Sequence, residues 1–310
     1  MSYLDLHCDT LFKLQKNNKL SIFKNPYQVD LERLKYIKAI GQFFAIYIDS
    51  KNQYNKNYFN EIISIIEYLK MQLNKRPEYA EIIKTKKQFY KVQKDNKLAI
   101  FLTVEDGGLI ADNFYEAYKA GIRLVTLTWN YNNKIGYSSF NEKYNNYGLT
   151  DFGKEIVRTM NELGIIIDVS HLSDKGFWDV INISQKPVVA SHSNSRNIYN
   201  HRRNLSDEMI KALANKGGIM GINFSCNLVG DSLETKTIDL YKHIVHIINI
   251  GGTDVLAIGS DYDGIANVTD FGDISGLPIL AQRLKNLGIK PSIIDKIMYK
   301  NAIRVINDVL

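Results

Sequence analysis

Ile165-Ile166-Ile167-Asp168-Val169-Ser170-His171 is a short apolar run that breaks off in polar groups. A run of this length without polar alternation reads as a strand buried on both faces. Seven more runs share the form: Tyr3–Leu6, Ala39–Tyr47, Leu98–Val104, Ile122–Thr128, Pro187–Ala190, Gly218–Phe224 and Val255–Ile258. Helical spacing fills the intervals, for example over Asn60–Leu73, Phe152–Leu163 and Ser206–Lys216. In the last of these Ser206 is suited to cap the helix, and Asp207 and Glu208 favour its positive end. The interval between the second and third strands is long enough for two helices, Asn60–Leu73 and Tyr79–Lys94. Pro291–Leu310 reads as a terminal helix with Pro291 in its first turn. Eight strands alternating with helices in 310 residues match an α/β fold of the closed (β/α)8 TIM barrel type better than an open sheet. The expectation is a single barrel domain over residues 1–310 with a C-terminal helix.

Composition narrows the class. With 45% hydrophobic and 23% charged residues the chain is globular and long enough to bury a large core. Two cysteines, Cys8 and Cys226, exclude a disulfide framework and fit a reducing compartment. Met1–His7 has no basic region followed by an apolar core, and no apolar run approaches the ~20 residues of a membrane helix. A cytoplasmic location without a membrane partner is expected. The net charge of +6 comes from scattered lysines, as in the Asn/Lys/Tyr-rich stretch Lys51–Asn60, with no dense basic stripe. The reading is solvated surface charge and no nucleic-acid partner.

The chemistry gathers where the strands end. Strand one runs into His7-Cys8-Asp9, strand three ends at Glu105, strand five at His171, strand six at Ser191-His192-Ser193, and strand eight at Gly259–Gly264. The carboxyl ends of parallel barrel strands open on one face, so these groups share one mouth. Three of the six histidines occupy such positions. His7 and Asp9, two apart, point the same way on a strand and offer a nitrogen and an oxygen to one ion. His171 and His192 add two nitrogens, and Glu105 has two oxygens with which to bridge two ions. Imidazole plus carboxylate without thiolate suits Zn²⁺ or a similar divalent ion in an open catalytic site. Two ions ~3.5–4 Å apart polarise a carbonyl and generate hydroxide near neutral pH. Asp106 reads as supporting or structural, Cys8 as barrel packing, and His243 and His246 as outer-face residues without a role.

These residues resemble the renal (membrane) dipeptidases, metallopeptidase family M19 of the amidohydrolase superfamily. The likeness runs through Leu4–Thr10, Val104–Gly108, Leu127–Asn130, Gly148–Gly153, Ile167–Ser173, Ala190–Ser193, Arg202–Leu205, Gly259–Gly264 and Asn301–Arg304. It implies a zinc-dependent dipeptidase acting on dipeptides with a free carboxyl terminus through a metal-bridging hydroxide. It implies two zinc ions per chain, with His7 and Asp9 on one, His171 and His192 on the other, and Glu105 between. Asp261 is then the catalytic proton carrier, and Arg203 pairs with the substrate's carboxylate, which its planar fork fits. A homodimer is a further expectation. One departure stands out. Where animal members carry a histidine that helps polarise the scissile carbonyl, this chain has Trp129, which donates one hydrogen bond and cannot become a cation. Trp129 then reads as a wall of the substrate's side-chain pocket, and the carbonyl is polarised either by zinc alone or with the help of another group such as Asn130, Tyr131 or His201. The departure keeps open a related binuclear amidohydrolase acting on a lactam, lactone or N-acyl amino acid.

Overall fold

All eight expected runs are strands, and they pair in parallel: β1 (Tyr3–Cys8), β2 (Ala39–Tyr47), β3 (Leu98–Glu105), β4 (Ile122–Thr126), β5 (Ile166–Asp168), β6 (Val188–Ala190), β7 (Ile219–Ile222) and β8 (Leu256–Ile258). Asp5 pairs with Ile258, joining β8 to β1 and closing the barrel. This computed structural model describes residues 1–310 except 18, 52, 54 and 55, so part of the stretch Lys51–Asn60 lies outside the described residues.

The barrel is filled from both sides of its wall. Leu4, Leu6, Phe43, Phe101, Leu124, Ile166, Val189, Ile219 and Ala257, drawn from every strand, form the interior cluster. Phe44, Ile100, Leu102, Val125, Ile167, Val188, Met220 and Ile258 face the other way, against helix residues such as Ile62, Met160, Phe177, Leu213 and Leu240. Strands that bury both faces have no polar face to alternate, which is why they read as continuous apolar runs. Helix α1 (Asp207–Asn215) is capped as expected by Ser206, whose hydroxyl accepts from the Met209 N–H. Thr150 caps Asp151–Leu163 in the same way.

One expected helix is not continuous. Within Tyr79–Lys94, Ala80–Ile82 forms a short strand, and the helix begins at Lys86 behind a Thr85 cap. The reason is a vacancy along β3. Strand β4 pairs only with Leu102–Glu105, so the first half of β3 is open, and Ala80–Ile82 pairs with Leu98–Ile100 there. At the other end, Pro291–Asp295 and Asn301–Val309 join through one wide turn, Lys296–Lys300. Ala302, Val305, Ile306 and Val309 join the interior cluster. Asn301 donates to the Leu256 carbonyl at the start of β8, and Arg304 to the Gly217 carbonyl just before β7. The C-terminal helix therefore plugs the barrel at the end away from the polar strand termini.

Candidate active site

Strand β1 does not keep strict alternation. Its pairing with β2 shifts between Asp5 and Cys8, a local irregularity of the bulge type. Leu4 and Leu6 face the interior while Cys8 joins the outer layer, so His7 and Asp9 come to the mouth. At three other strand ends the chain turns through left-handed backbone on non-glycine residues: Asp106 (φ 87°), His171 (φ 68°) and Asp261 (φ 59°). Such conformations cost roughly 1–3 kcal/mol each and persist where the surroundings over-determine them. Here they aim His171 and Asp261 inward.

The convergence is tight. His7 Nε2 lies 3.3 Å from Asp9 Oδ2, 3.8 Å from Glu105 Oε2 and 3.9 Å from Asp261 Oδ1. The other oxygen of Glu105 lies 3.2 Å from His171 Nε2 and 3.5 Å from His192 Nε2. Glu105 thus turns one oxygen towards β1 and one towards β5 and β6, between the two halves of the cluster. Within it, His7, Glu105 and His192 form one group able to hold an ion, and His7, Asp9 and Asp261 another. The five residues expected as ligands are together at one barrel end, all of them buried.

Two observations fit divalent cations. Both ring nitrogens of His7 are buried without a hydrogen bond, although Asp9 Oδ2 comes within 3.3 Å of Nε2. His171 Nε2 and His192 Nε2 stand 3.0 Å apart, each with its Nδ1 engaged elsewhere, on Asn130 Oδ1 at 3.0 Å and Ser191 Oγ at 2.7 Å. Charge points the same way. Burial alone would depress the His7 imidazolium, yet Asp9, Glu105 and Asp261 lift it to about 10. Burial pushes Glu105 well up and Asp261 to about 6, against the pull of His7 and Arg203. Burial holds His171 and His192 well below the usual imidazole range. The carboxylates call for positive charge at the place where the imidazoles offer lone pairs. Gly264 completes the cradle, because a Cβ there would stand 2.2 Å from Asp9 Oδ2 and 2.7 Å from Asp261 Oδ1.

Around this cluster opens a cavity of about 390 Å³ whose wall includes Phe12, Tyr47, Glu105, Trp129, His171 and Asp261. Tyr47 packs on Phe12 at 5.0 Å and on Trp129 at 4.8 Å between ring centroids, a continuous aromatic side to the mouth. Arg203 is part-buried on the loop after β6, with Nη1 3.4 Å from Ser193 Oγ and Nη2 3.2 Å from the His192 carbonyl. It makes no ion pair among the described residues, and each Nη has a second N–H beyond these two bonds. Of the alternatives to Trp129, Asn130 is engaged on His171, and His201 accepts the Arg203 N–H at 3.2 Å, holding that loop.

The membrane dipeptidase family (peptidase family M19) matches residues 1–310. The chain belongs to this family. As a member it is a metal-dependent dipeptidase, a hydrolase of peptide bonds. An uncharacterised dipeptidase of Schizosaccharomyces pombe is 29% identical to this member, over 97% of its chain and 79% of the yeast protein. Two solved structures share the fold at 24% identity. One is the M19 metallopeptidase dipeptidase AC (TM-score 0.90, covering 100% of this chain and 98% of that one). The other is a metallopeptidase from Rhodobacter sphaeroides liganded with a phosphinate mimic of the dipeptide L-Ala-D-Ala (TM-score 0.86, 100% and 99%).

Sequence reasoning left out the supports of the dipeptidase site. Asp5 is buried and accepts from Ser260 N and Oγ at 2.8 and 2.7 Å and from Gln42 Nε2 at 2.9 Å, tying β1 to β8 and β2. Asp168 does the same among β4, β5 and β6. A carboxylate inside an otherwise apolar strand, as in Leu4-Asp5-Leu6, is the signal that could have found them, since burial without partners is costly. Asn223, after β7, donates to Asp261 Oδ2 at 2.9 Å, and an uncharged amide at a strand end gives no such signal. His243 is not the outer-face residue expected from its helical spacing. It is fully buried, accepting from Ser195 N and donating to the Val229 carbonyl, because the helix Thr237–Gly251 turns that face to the β6 and β7 loops. Asp106 and Asp263 are turn residues, the first accepting from Gly108 N and Asn133 Nδ2, the second from Thr10 Oγ1 and Gln28 N.

Proposed function

We propose that this dipeptidase works with two zinc ions held by His7, Asp9, Glu105, His171 and His192, and that it cleaves dipeptides bearing a free carboxyl terminus. The observation that carries the reading is the position of Glu105, within 3.8 Å of His7 on one side and within 3.5 Å of His171 and His192 on the other. Bound divalent cations would supply the Lewis acidity that polarises the scissile carbonyl and activates water.

The remaining work belongs to the chain's own side chains. Arg203 fixes the substrate's terminal carboxylate through its planar fork, setting which amide faces the cluster. Asp261 Oδ1 takes the proton of the attacking water and returns it to the leaving amine nitrogen. Asn223 holds its other oxygen at 2.9 Å, so Oδ1 is the one presented to the cluster. In strand order β2 is diametrically across the barrel from β6, so a dipeptide anchored by Arg203 turns its amino-terminal residue towards Phe12, Tyr47 and Trp129. Trp129 is then the wall of that residue's side-chain pocket. The dipeptide mimic in the Rhodobacter protein supports the substrate class.

The reading takes residues 1–310 as one barrel domain with its C-terminal helix, active as a homodimer in the cytoplasm. Two free cysteines agree with a reducing compartment, and among the described residues no helix is long and apolar enough to cross a membrane. The test is metal analysis and dipeptide kinetics on one sample. Two zincs per chain with turnover of dipeptides is the expected result. No turnover of any dipeptide by protein holding two zincs, or turnover of N-acyl amino acids and lactams alone, would overturn it.

A further inference from the structure

Ser191 has one hydroxyl proton and two places to send it. Its oxygen is 2.6 Å from Asp168 Oδ2 and 2.7 Å from His192 Nδ1. Asp168 decides between them. Its carboxylate is fully buried and already receives Thr126 Oγ1 at 2.6 Å on Oδ2, and the backbone N–H groups of Ser170 and Ser191, each at 2.9 Å, on Oδ1. With donors on both oxygens the group acts as an acceptor only. The Ser191 proton therefore points to Asp168, and a lone pair of Ser191 Oγ faces His192. That lone pair requires the imidazole proton on Nδ1, which leaves His192 Nε2 bare. Ser170 Oγ, 3.4 Å from Ser191 Oγ, agrees, since it accepts the His192 N–H at 3.2 Å and keeps its own proton to donate. Asn130 treats His171 alike, its carbonyl oxygen receiving Nδ1 at 3.0 Å.

We infer that Asp168, acting through Ser191, and Asn130 are positioning residues that lock His192 and His171 in the tautomer whose Nε2 is free to bind metal. The inference rests on the metal reading above and extends it to residues that touch neither metal nor substrate. Outer hydrogen bonds of this kind set ring orientation and ligand basicity, and losing one lowers metal affinity on the order of 10–100-fold.

The geometry makes an unusual prediction about Asp168→Asn. Two backbone N–H groups face the Oδ1 position, so the amide oxygen must take that side and the NH₂ must face Thr126 and Ser191. The NH₂ then occupies the Ser191 lone pair and turns its hydroxyl proton towards His192 Nδ1. The imidazole proton moves to Nε2, where metal should be. Ser191→Ala only removes the preference; Asp168→Asn reverses it.

Zinc affinity, measured by chelator competition on metal-free protein, tests the relay, with melting of the metal-free proteins as the check on folding. Ser191→Ala and Asn130→Leu should each bind zinc about 10–100-fold more weakly than wild type. Asp168→Asn should be weaker than Ser191→Ala, and Asn130→Asp, which keeps an acceptor on His171, should stay at or above wild type. Folded Ser191→Ala and Asn130→Leu that bind zinc as tightly as wild type would overturn the relay and leave the metal site standing. Wild-type protein that takes up no zinc would sink both. Should Asp168→Asn not fold, the pair Asn130→Leu and Asn130→Asp, together with Ser191→Ala, decides.

Discussion

Asn223 Nδ2 lies 2.9 Å from Asp261 Oδ2, and Asp261 Oδ1 lies 3.9 Å from His7 Nε2, so one amide divides the work of the two carboxylate oxygens. Oδ2 is held and Oδ1 faces the cluster. Asn223 is itself fixed, its N–H given to Asn194 Oδ1 at 2.9 Å and its carbonyl receiving Asn194 Nδ2 at 3.0 Å. The carboxylate is thereby oriented before substrate arrives. Asp261→Asn retains the shape and both metals but has no site for a proton, and turnover should drop by at least ~10². Measured kcat beside measured zinc content checks this. Wild-type turnover in the substituted enzyme would remove Asp261 from the proton path.

Arg203 separates binding from chemistry. Its fork is unpaired by any carboxylate among the described residues, while its backbone N–H is tied to His201 at 3.2 Å. Arg203→Lys keeps the charge and loses the two-pronged fit. KM for dipeptides should rise about 10–100-fold, the scale of one hydrogen bond between charged groups, with kcat changed less. Dipeptide amides, which lack the carboxylate, should lose little. Equal losses on both substrates would show that Arg203 supports the loop and not the ligand.

Much of the fold and site is legible in the sequence, and the divisions have causes. Strands buried on both faces lose polar alternation, so all eight stand out as apolar runs, five of them leading into His7, Glu105, His171, His192 and Asp261. Ala80–Ile82 is invisible as a strand because its partner is half of β3, a vacancy created by the late start of β4 pairing and not by any local property of the segment. The direction of His7 is legible only by assuming alternation, whereas the chain reaches the same result through a bulge that turns Cys8 outward. Asn223 and Asn130 act through amide orientation, which residue type alone does not encode. Trp129 is legible as a departure from the family, and its neighbours Tyr47 and Tyr131 give the departure a setting once the loops are folded.

Gly264 tests the cradle from behind. A methyl group there would meet Asp9 Oδ2 at 2.2 Å and Asp261 Oδ1 at 2.7 Å, distances that force a carboxylate to move. Gly264→Ala should lower zinc affinity at least about tenfold, as expected when a metal ligand or its support is displaced. The barrel core is remote from this contact, so the metal-free protein should melt close to wild type. Zinc affinity by chelator competition and a thermal scan of the metal-free form give the two readings. Unchanged affinity would mean that Asp9 can shift without cost, and so is not a ligand.

His243 gives stability a pH dependence that does not pass through the metal site. Burial holds its imidazole below the ordinary value of 6.5. Its Nδ1 accepts Ser195 N at 3.1 Å, so a proton added there would face an N–H donor. The unfolded chain therefore binds this proton more readily than the folded one. By linkage, stability from His243 is complete above pH ~6.5 and declines as pH falls below it, levelling off once the folded imidazole also titrates. His243→Gln offers an oxygen to Ser195 and an NH₂ to the Val229 carbonyl without a titrating group. Melting temperatures of the two metal-free proteins should therefore draw together as pH drops from 7 to 5, with the wild type falling faster. His7 and the other buried imidazoles are common to both proteins and cancel in the comparison. Parallel curves over that interval would show that His243 takes up its proton equally readily in the folded and unfolded chain.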